Sequence, residues 1–563
     1  MTQANVSEII LKFFQAKKTK YAFGILSSGF MELADILRDT DIQYIGTRHE
    51  QWAGHIADSY GRLTGSPQMC LISGSPGITN MVSAIATANI NHSPVFVLTD
   101  GPTTKSKGTG DFQDVDGTTI TAPVSKSSVY VSSPSRALDI LNSLYNLSIA
   151  PLPGPVHVEL ARDTLLESCS YTDKEQNFDY LIHNLAGRET IESAVNLILE
   201  SSRPVILAGN EIYTKRASVF LGKIAESLNI PVVTTHSNND LMPSSNRFML
   251  GAIGRLGSEN AMRALAESDL VIAIGTTLNS YTFVPYYGFK YPGAETKIIQ
   301  VSMFPESLAR SGQVKLGIFS NAEDFLEATL NHITQNKVKL NAERYSLWET
   351  FWSNKAVDES PTFKGEHNKS VFEAVFDTLP DNSILSLDAG SMASIMVKWK
   401  RYPGFGSLLT SGNMGEVGFS IPSAIGAKLA RPDSQSYAFL GDGAFTMEMS
   451  ALITAVEYDI PIKVVVFDNS AWGSEKAYQQ EFYDRRFFGS DLQNPDLVNL
   501  SQALGLQAFH AEDSVGVRRG LKDLSNSEKP AILIIRTEND YPTPVRSLDA
   551  VKRVNRGLFK TMT

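Results

Sequence analysis

The sequence predicts an α/β protein made of three doubly wound, parallel-sheet domains, and three observations carry that prediction. At 563 residues the chain is long enough for about three to four domains. Short apolar runs of strand length alternate with segments of helical period along most of it, the pattern of a parallel sheet covered by helices on both faces. The runs fall into three groups, within residues 1–165, 188–340 and 370–563. The polar, charged stretch from Asn341 to Lys369 separates the last two.

In the first group, Ile9, Ile10, Phe13 and Phe14 mark an amphipathic helix. Tyr21 to Ile25, Gln43 to Thr47, Gln68 to Gly74 and Pro94 to Thr99 read as buried strands. Glu50 stands just past the second of these, at the start of a helix through Trp52, Ile56 and Tyr60. The helix dipole favours a carboxylate there whatever else it does. Ser73-Gly74-Ser75-Pro76-Gly77 reads as a turn opening a helix from Thr79, with amides suited to a carboxylate or phosphate. Between Thr103 and Pro123 the chain turns polar and Gly-rich, and GTGDFQDVD at 108–116 reads as solvated loop.

The second group has strands at Pro204 to Ala208, Pro231 to Thr235, Leu270 to Gly275 and Lys297 to Val301. Gly251, Gly254 and Gly257 either line a nucleotide or simply turn the chain. No glycine fingerprint follows a strand and opens a helix here, so FAD is not expected. The third group has strands at Ile384 to Leu387, Tyr437 to Leu440, Lys463 to Phe467 and Ala531 to Ile535.

The stretch from Gly441 to Trp472 in the third group carries the chemistry. The strand before it ends in Gly-Asp-Gly. Gly441 and Gly443 let a backbone approach a phosphate, and Asp442 brings a hard oxygen to the carboxyl end of a strand, where open α/β sheets bind ligands. An amphipathic helix and a second strand, Ile462 to Phe467, return the chain parallel to itself and deliver Asp468 and Asn469 to the same edge. Asp442 and Asn469, 27 positions apart, then lie side by side. Such a pair suits Mg²⁺, which takes few protein oxygens. An ordinary crossover with an Asp-Gly turn has the same pattern.

Gly-Asp-Gly followed after about 25 to 30 residues by Asn resembles the thiamine diphosphate signature. RHEQWAGHIADSYGRLTG, from Arg48, is similar to the catalytic-glutamate segment of thiamine diphosphate enzymes of the acetolactate synthase and pyruvate oxidase group. RPVILAGN and DLVIAIGTTLNSYTF resemble that group's central domain, and Gly415-Glu416-Val417-Gly418 its aminopyrimidine-binding turn. The resemblance implies a pyrimidine-binding domain at 1–165, a central domain at 188–340 and a diphosphate-binding domain at 370–563. It implies Mg²⁺ on Asp442, Asn469 and the carbonyl of Ala471, gripping a diphosphate beside Gly441, Gly443, Ala444, Trp472 and Gly473. Gly415 would accept from the pyrimidine amino group. Val417 would be the apolar wedge under the cofactor, smaller than the usual Met or Ile; apart from the resemblance it reads as a core residue. Glu50 would bond a ring nitrogen and drive the tautomer that deprotonates the thiazolium carbon. In the family that Glu comes from the partner subunit, which implies a homodimer at least, with a homotetramer expected.

Residues 472–492, WGSEKAYQQEFYDRRFFGSDL, are unusually aromatic and charged; spacing alone fits a solvated helix. With FQDVD, NSYTFVPYYG at 279–288 and PVRSLDAVKR near the C-terminus, the stretch resembles sulfoacetaldehyde acetyltransferases. That implies transfer of a two-carbon unit from a small aldehyde or 2-oxo acid to an acceptor, with Phe112, Gln113, Lys476, Arg485 and Arg546 near an anionic substrate. The alternative is an acetolactate synthase-like carboligase using pyruvate. The family's plain decarboxylases usually carry a tandem His in the first domain. Here His49, His55 and His92 stand singly, which argues against simple aldehyde release.

Composition agrees with a globular enzyme: 42% apolar and 20% charged residues. A net charge of −10 argues against a nucleic-acid partner but leaves room for a local anion pocket. No apolar run approaches the ~20 residues that span a bilayer, so no membrane partner is expected. Only Cys70 and Cys169 occur, fitting a reducing compartment, although two thiols can pair. The start, MTQANVSE, has no signal-peptide pattern, and a cytoplasmic location is expected.

Overall fold

The computed structural model describes residues 2–171, 185–254, 257–280, 282–283, 291–308, 313–338, 348–349, 351, 363 and 365–542. They form three six-stranded, wholly parallel sheets. The N-terminal sheet runs Gln43–Gly46, Tyr21–Gly24, Met69–Ser73, Phe96–Gly101, Val156–Ala161, Ser127–Val131. The C-terminal sheet repeats that order: Leu408–Thr410, Ser383–Leu387, Gln435–Gly441, Lys463–Asp468, Ala531–Arg536, Gln507–Ala511. In both, the second strand lies outside the first and the third lies on the other side. Strand order thus reverses between the first and third strands, which opens a crevice at their carboxyl ends. The central sheet, Met249–Ala252, Val232–Thr234, Pro204–Ala208, Leu270–Ile274, Lys297–Ser302, Val314–Phe319, follows the 3-2-1-4-5-6 order.

The strands expected from apolar runs are all present, and most are buried on both faces, as parallel sheets require; Gln43–Gly46, at a sheet edge, is exposed at its start. The strands that escaped the sequence reading are mainly edge or half-exposed ones, such as Val314–Phe319 and Gln507–Ala511, which lack a continuous apolar run. Val156–Ala161 escaped for another reason. Its His157 is fully buried because Thr99 and Thr121 hydroxyls meet both ring nitrogens, at 2.8 and 2.9 Å. Two helices also differ from expectation. The helix placed after Ser73–Gly77 starts at Ser75, since Pro76 suits a first helical turn and Asp100 takes the preceding Gly74 amide at 2.8 Å. The crossover helix is two, Asp442–Glu448 and Ser450–Glu457, with Glu448 turned into the core. Cys70 and Cys169 are both free thiols. Among the described residues no helix is long and apolar enough to cross a membrane.

The N- and C-terminal sheets share one hydrophobic core, in which Phe23, Trp52, Ile56 and Met81 pack with Ile421, Ile425, Leu440 and Val466. At its centre helix Ser420–Ala430 lies on helix Glu50–Thr64. A Cβ at Gly426 would stand 2.2 Å from the Ile56 carbonyl oxygen. Polar contacts close the rim: Trp52 Nε1 donates to Ser450 Oγ at 2.8 Å, Arg48 pairs with Glu457 at 2.6 Å, and the Gly46 amide donates to Tyr458 Oη at 2.9 Å. The central domain is fastened to the C-terminal one by Asp240, whose buried carboxylate accepts the amides of Gly406, Ser407 and Leu408. Burial pushes this carboxyl up to about 6.

Gly426→Ala should therefore cost about 1–3 kcal/mol through overpacking, read as a lower denaturant midpoint. Gly222→Ala, at a helix position whose nearest neighbour is the Met242 methyl at 3.8 Å, should be neutral or stabilising. Equal effects of the two would contradict the close helix approach.

Candidate active site

A cavity of about 280 Å³ opens at the switch point of the C-terminal sheet. Ala389, Gly390 and Ser391 reach it from the end of strand Ser383–Leu387, and Gly441 to Ala444 from the end of Gln435–Gly441. Asn469 and Ala471 to Glu475 follow strand Lys463–Asp468, and Gly415 and Val417 come from the turn before helix Ser420–Ala430. Every C-terminal residue expected to hold the cofactor or metal, namely Gly415, Val417, Gly441, Asp442, Gly443, Ala444, Asn469, Ala471, Trp472 and Gly473, lines this one cavity. Tyr478 and Tyr541 complete its wall.

Asp442 is 1% exposed. Its Oδ2 accepts Asn494 Nδ2 at 2.6 Å, while Oδ1 is buried with no hydrogen-bond partner. Burial pushes the carboxyl up to about 6. A buried carboxylate oxygen without a donor is costly unless something positive meets it. Asn469 gives its Nδ2 to Asn539 Oδ1 at 2.9 Å, and Asn539 returns Nδ2 to the Asn469 carbonyl at 3.1 Å. Its Oδ1 is thereby left as an acceptor. Beyond it Ser470 sits at φ +52°, and Ala471 bridges to Asp491 while the Trp472 amide donates to Ser490 O at 2.8 Å. This short antiparallel clasp turns Ala471 to the cavity. Among the described residues there is no cluster of three His, Cys, Asp or Glu side chains suited to a metal. An ion that asks for few protein oxygens, such as Mg²⁺, fits Asp442, Asn469 and a carbonyl.

The two glycines around Asp442 differ in purpose. A Cβ at Gly441 would meet nothing nearer than 4.0 Å, so its bareness leaves the cavity open. At Gly443 a Cβ would stand 2.6 Å from the Trp472 ring, so that glycine admits the indole. Gly415 adopts φ +61°, which favours glycine. The turn is held from behind by Asp388, which accepts the amides of Gly418, Phe419 and Ser420 at 2.8–3.2 Å. Glu448 accepts the Ser420 hydroxyl at 2.9 Å and the Ile421 amide at 3.1 Å. Burial, together with Asp388, pushes the Glu448 carboxyl well above its ordinary range.

Glu50 is the first residue of its helix and 9% exposed. The His49 ring caps the Gln51 amide at 3.2 Å, and Asn80 Nδ2 donates to Glu50 Oε2 at 3.0 Å. The carboxylate thus stands at the carboxyl edge of the N-terminal sheet, against helix Ser75–Ile90, and not in the lining of the C-terminal cavity. Gln113, at φ +60°, is clamped at the start of helix Ser75–Ile90: the Ser75 hydroxyl donates to its carbonyl and Arg162 to its Oε1. Arg162 Nε also meets Asp100 at 2.9 Å. Phe112 is 74% exposed. Lys476 is spent on an ion pair with Asp491 and lies over the Phe487 ring; Arg485 is exposed; neither lines the cavity. Arg546, PVRSLDAVKR and most of NSYTFVPYYG lie outside the described residues. Another cavity of about 280 Å³ lies where the central strand ends Thr235 and Thr276 meet Asn89 to His92 of the N-terminal domain and Gly412 and Asn413 of the C-terminal one; Gly251, Gly254 and Gly257 do not line it.

Sequence reading missed Asp388, Asn494, Asn80 and Glu475. Asp388 carried a signal, because Leu-Asp-Ala-Gly ends a strand much as Leu-Gly-Asp-Gly does. Asn494 and Asn80 carried none, since both act from positions remote from the residues they hold. Asn494 Nδ2 lies between the Asp442 and Asp468 carboxylates, at 2.6 and 3.2 Å. Asn494→Ala should cost about 1–3 kcal/mol, the usual loss when buried acceptors lose a donor, read from the denaturant midpoint of the protein. An unchanged midpoint would contradict the bridging role.

The chain matches the three parts of one enzyme family in order. Residues 4–120 match the N-terminal TPP binding domain of thiamine pyrophosphate enzymes, residues 191–329 their central domain, and residues 388–535 their C-terminal TPP binding domain. A probable acetolactate synthase large subunit from Methanocaldococcus jannaschii is 30% identical, over 94% of this chain and 91% of that one. A sulfoacetaldehyde acetyltransferase from Alcaligenes xylosoxydans xylosoxydans is 28% identical, over 98% and 96%. The acetolactate synthase large subunit of Corynebacterium glutamicum is 29% identical, over 96% and 86%. With three matching domains, a switch-point cavity and a chain-long likeness, the chain belongs to the thiamine pyrophosphate (thiamine diphosphate) enzymes, of acetolactate synthase and sulfoacetaldehyde acetyltransferase type.

Proposed function

We propose that the enzyme uses thiamine diphosphate with Mg²⁺ to move a two-carbon unit from a small aldehyde or 2-oxo acid to an acceptor, with sulfoacetaldehyde as donor and phosphate as acceptor. The observation that carries the cofactor half is the unpartnered Asp442 Oδ1, buried in a cavity that also holds Asn469, Ala471, Gly415 and Val417. Asp442, Asn469 and the Ala471 carbonyl would hold the ion against the diphosphate. Gly441 leaves room for the phosphate. The Gly415 carbonyl would take the pyrimidine amino group, and Val417 would sit beneath the ring system. When bound, thiamine diphosphate supplies a carbon nucleophile and an electron sink. Glu50 Oε1 or Oε2 would hold the proton exchanged with a pyrimidine nitrogen, and Trp472, Tyr478 and Tyr541, which line the cavity, would help keep water out of it.

Glu50 stands outside the cavity lining, which supports its action on a second copy's cofactor, hence a homodimer at least and a homotetramer by expectation. Exposed Met414 and Met447, beside the turn and the crossover, are the kind of apolar surface such a contact covers. Phe112, Gln113, Lys476, Arg485 and Arg546 remain proposed substrate neighbours, Gln113 being the one already fixed in place. For Lys476 to meet an anion it must be shared with Asp491. Free thiols at Cys70 and Cys169 support a cytoplasmic setting. A second reading, an acetolactate synthase-like carboligase using pyruvate, is favoured by the 30% identical relative.

Supplied with thiamine diphosphate, Mg²⁺ and phosphate, the protein should release sulfite from sulfoacetaldehyde and form acetyl phosphate. Carbon dioxide and an acyloin from pyruvate would favour the second reading, and neither product would sink both. Glu50→Gln should lower turnover by roughly 10²–10⁴-fold, the usual share of acid–base catalysis, while the cofactor still binds. Unchanged turnover would remove Glu50 from the mechanism. The visible spectrum should lack flavin bands; a yellow protein would overturn the expectation about FAD.

A further inference from the structure

The cavity explains Gly415 and Val417 but not the side chain between them. Met414 and Gly415 are exposed, yet the Glu416 side chain turns inward and is 8% exposed. Its carboxyl enters the seam between the N- and C-terminal domains. Oε1 accepts the Thr87 hydroxyl and stands 3.3 Å from His55 Nε2, while Oε2 accepts Gln51 Nε2 at 3.4 Å. Gln51 and His55 lie on the helix that begins at Glu50. Thr87 lies on the helix whose Asn80 holds the Glu50 carboxylate. A single side chain, flanked in sequence by two cavity residues, therefore touches both helices that fix Glu50.

We propose that Glu416 is a positioning residue whose carboxyl locks the Gly415–Val417 turn onto the two helices that carry and support Glu50. The inference rests on the reading of the cavity as the thiamine diphosphate site. Two contacts support the same seam from the backbone side: Asp388 holds the amides of Gly418 to Ser420, and a Cβ at Gly418 would stand 3.3 Å from the Trp52 ring. The turn is thus pinned at its far end, and Glu416 pins the end nearest the cofactor.

The charge state of the seam adds a pH dependence. Burial, with Asp58 and Asp388 adding to it and Thr87 and Arg62 opposing, pushes Glu416 up to about 8. Burial, with Arg62 and His49, pulls His55 down to about 3. Of the elements around the carboxyl, the Glu50 helix presents His55, Asp58 and Arg62, the C-terminal domain presents Asp388, and helix Ser75–Ile90 presents the neutral Thr87. Both shifts favour the uncharged forms of Glu416 and His55, whose Oε1 and Nε2 stand 3.3 Å apart. A carboxyl raised in the folded state stabilises it fully below its ordinary range and loses that contribution as pH rises through the folded value. Docking of the turn should therefore weaken up to and just past pH 8, as a buried carboxylate faces Asp58 and Asp388.

Three proteins test this: the full-length chain, Glu416→Gln and Glu416→Ala. Affinity for thiamine diphosphate with Mg²⁺ is followed by tryptophan fluorescence at pH 7 and pH 9, and the unfolding temperature of the cofactor-free protein is recorded over the same range. The parent protein should lose affinity about tenfold between the two pH values, as one unit above the titration leaves about a tenth of the acid form. Glu416→Gln, neutral at both, should keep its affinity and show a flatter unfolding temperature. Glu416→Ala should bind more weakly at both. An alkaline loss in Glu416→Gln equal to that of the parent, or parental affinity in Glu416→Ala, would overturn the proposal. Failure of the parent itself to bind at pH 7 would instead overturn the cofactor reading, and the cofactor-free unfolding profiles would still decide whether Glu416 locks the seam.

Discussion

Helix Ser420–Ala430 lies so close to helix Glu50–Thr64 that a single added methyl at Gly426 would collide with the Ile56 carbonyl. The rest of the molecule depends on that approach. It welds the first and last sheets into one core, although the whole central domain separates them in sequence. Packing at interior density leaves little slack, so the helix that begins at Glu50 and the turn that carries Gly415 and Val417 are fixed relative to each other. Helix Ser420–Ala430 is anchored at its start by Asp388 and Glu448, so the turn before it inherits the rigidity of the core.

The site shows how buried acids are distributed by task. Asp388 is spent on backbone amides, and Glu448 beside it is pushed well above the usual carboxylate range by burial and by Asp388. Asp442 has one oxygen satisfied by Asn494 and one with no protein donor at all. A buried oxygen left without a donor is an expense that folding alone does not explain, and a bound cation removes it. The same logic separates Asp442 from Asp240, whose three amide donors make it a fastening between domains.

Much of this was legible beforehand because the chemistry sits at strand ends. Gly441 to Ala444 and Asn469 each follow a buried apolar run and Glu50 follows a shorter edge strand, and the parallel crossover rule places such positions at the carboxyl edge of their sheets. Half-exposed edge strands and residues that act at a distance were not legible. His157 makes a core strand look amphipathic, and its burial is explained by the hydroxyl partners Thr99, Thr121 and Ser128. Asn494 and Asn80 reach their carboxylates from loops and helices whose placement no local pattern encodes. The sequence suggested that Gly441 and Gly443 do one job. The Trp472 ring over Gly443 separates them into a cavity floor and a packing surface.

The account's central claim is that Asp442 and Asn469 hold a metal-bound diphosphate in the C-terminal cavity. Calorimetric titration with thiamine diphosphate, with and without Mg²⁺, of the parent protein and of Asp442→Ala tests it most directly. The account predicts saturable, Mg²⁺-dependent binding in the parent and loss of at least about a hundredfold in the variant, since a buried charged contact is worth several kcal/mol. Equal affinity in the two proteins, or binding that ignores Mg²⁺, would contradict it.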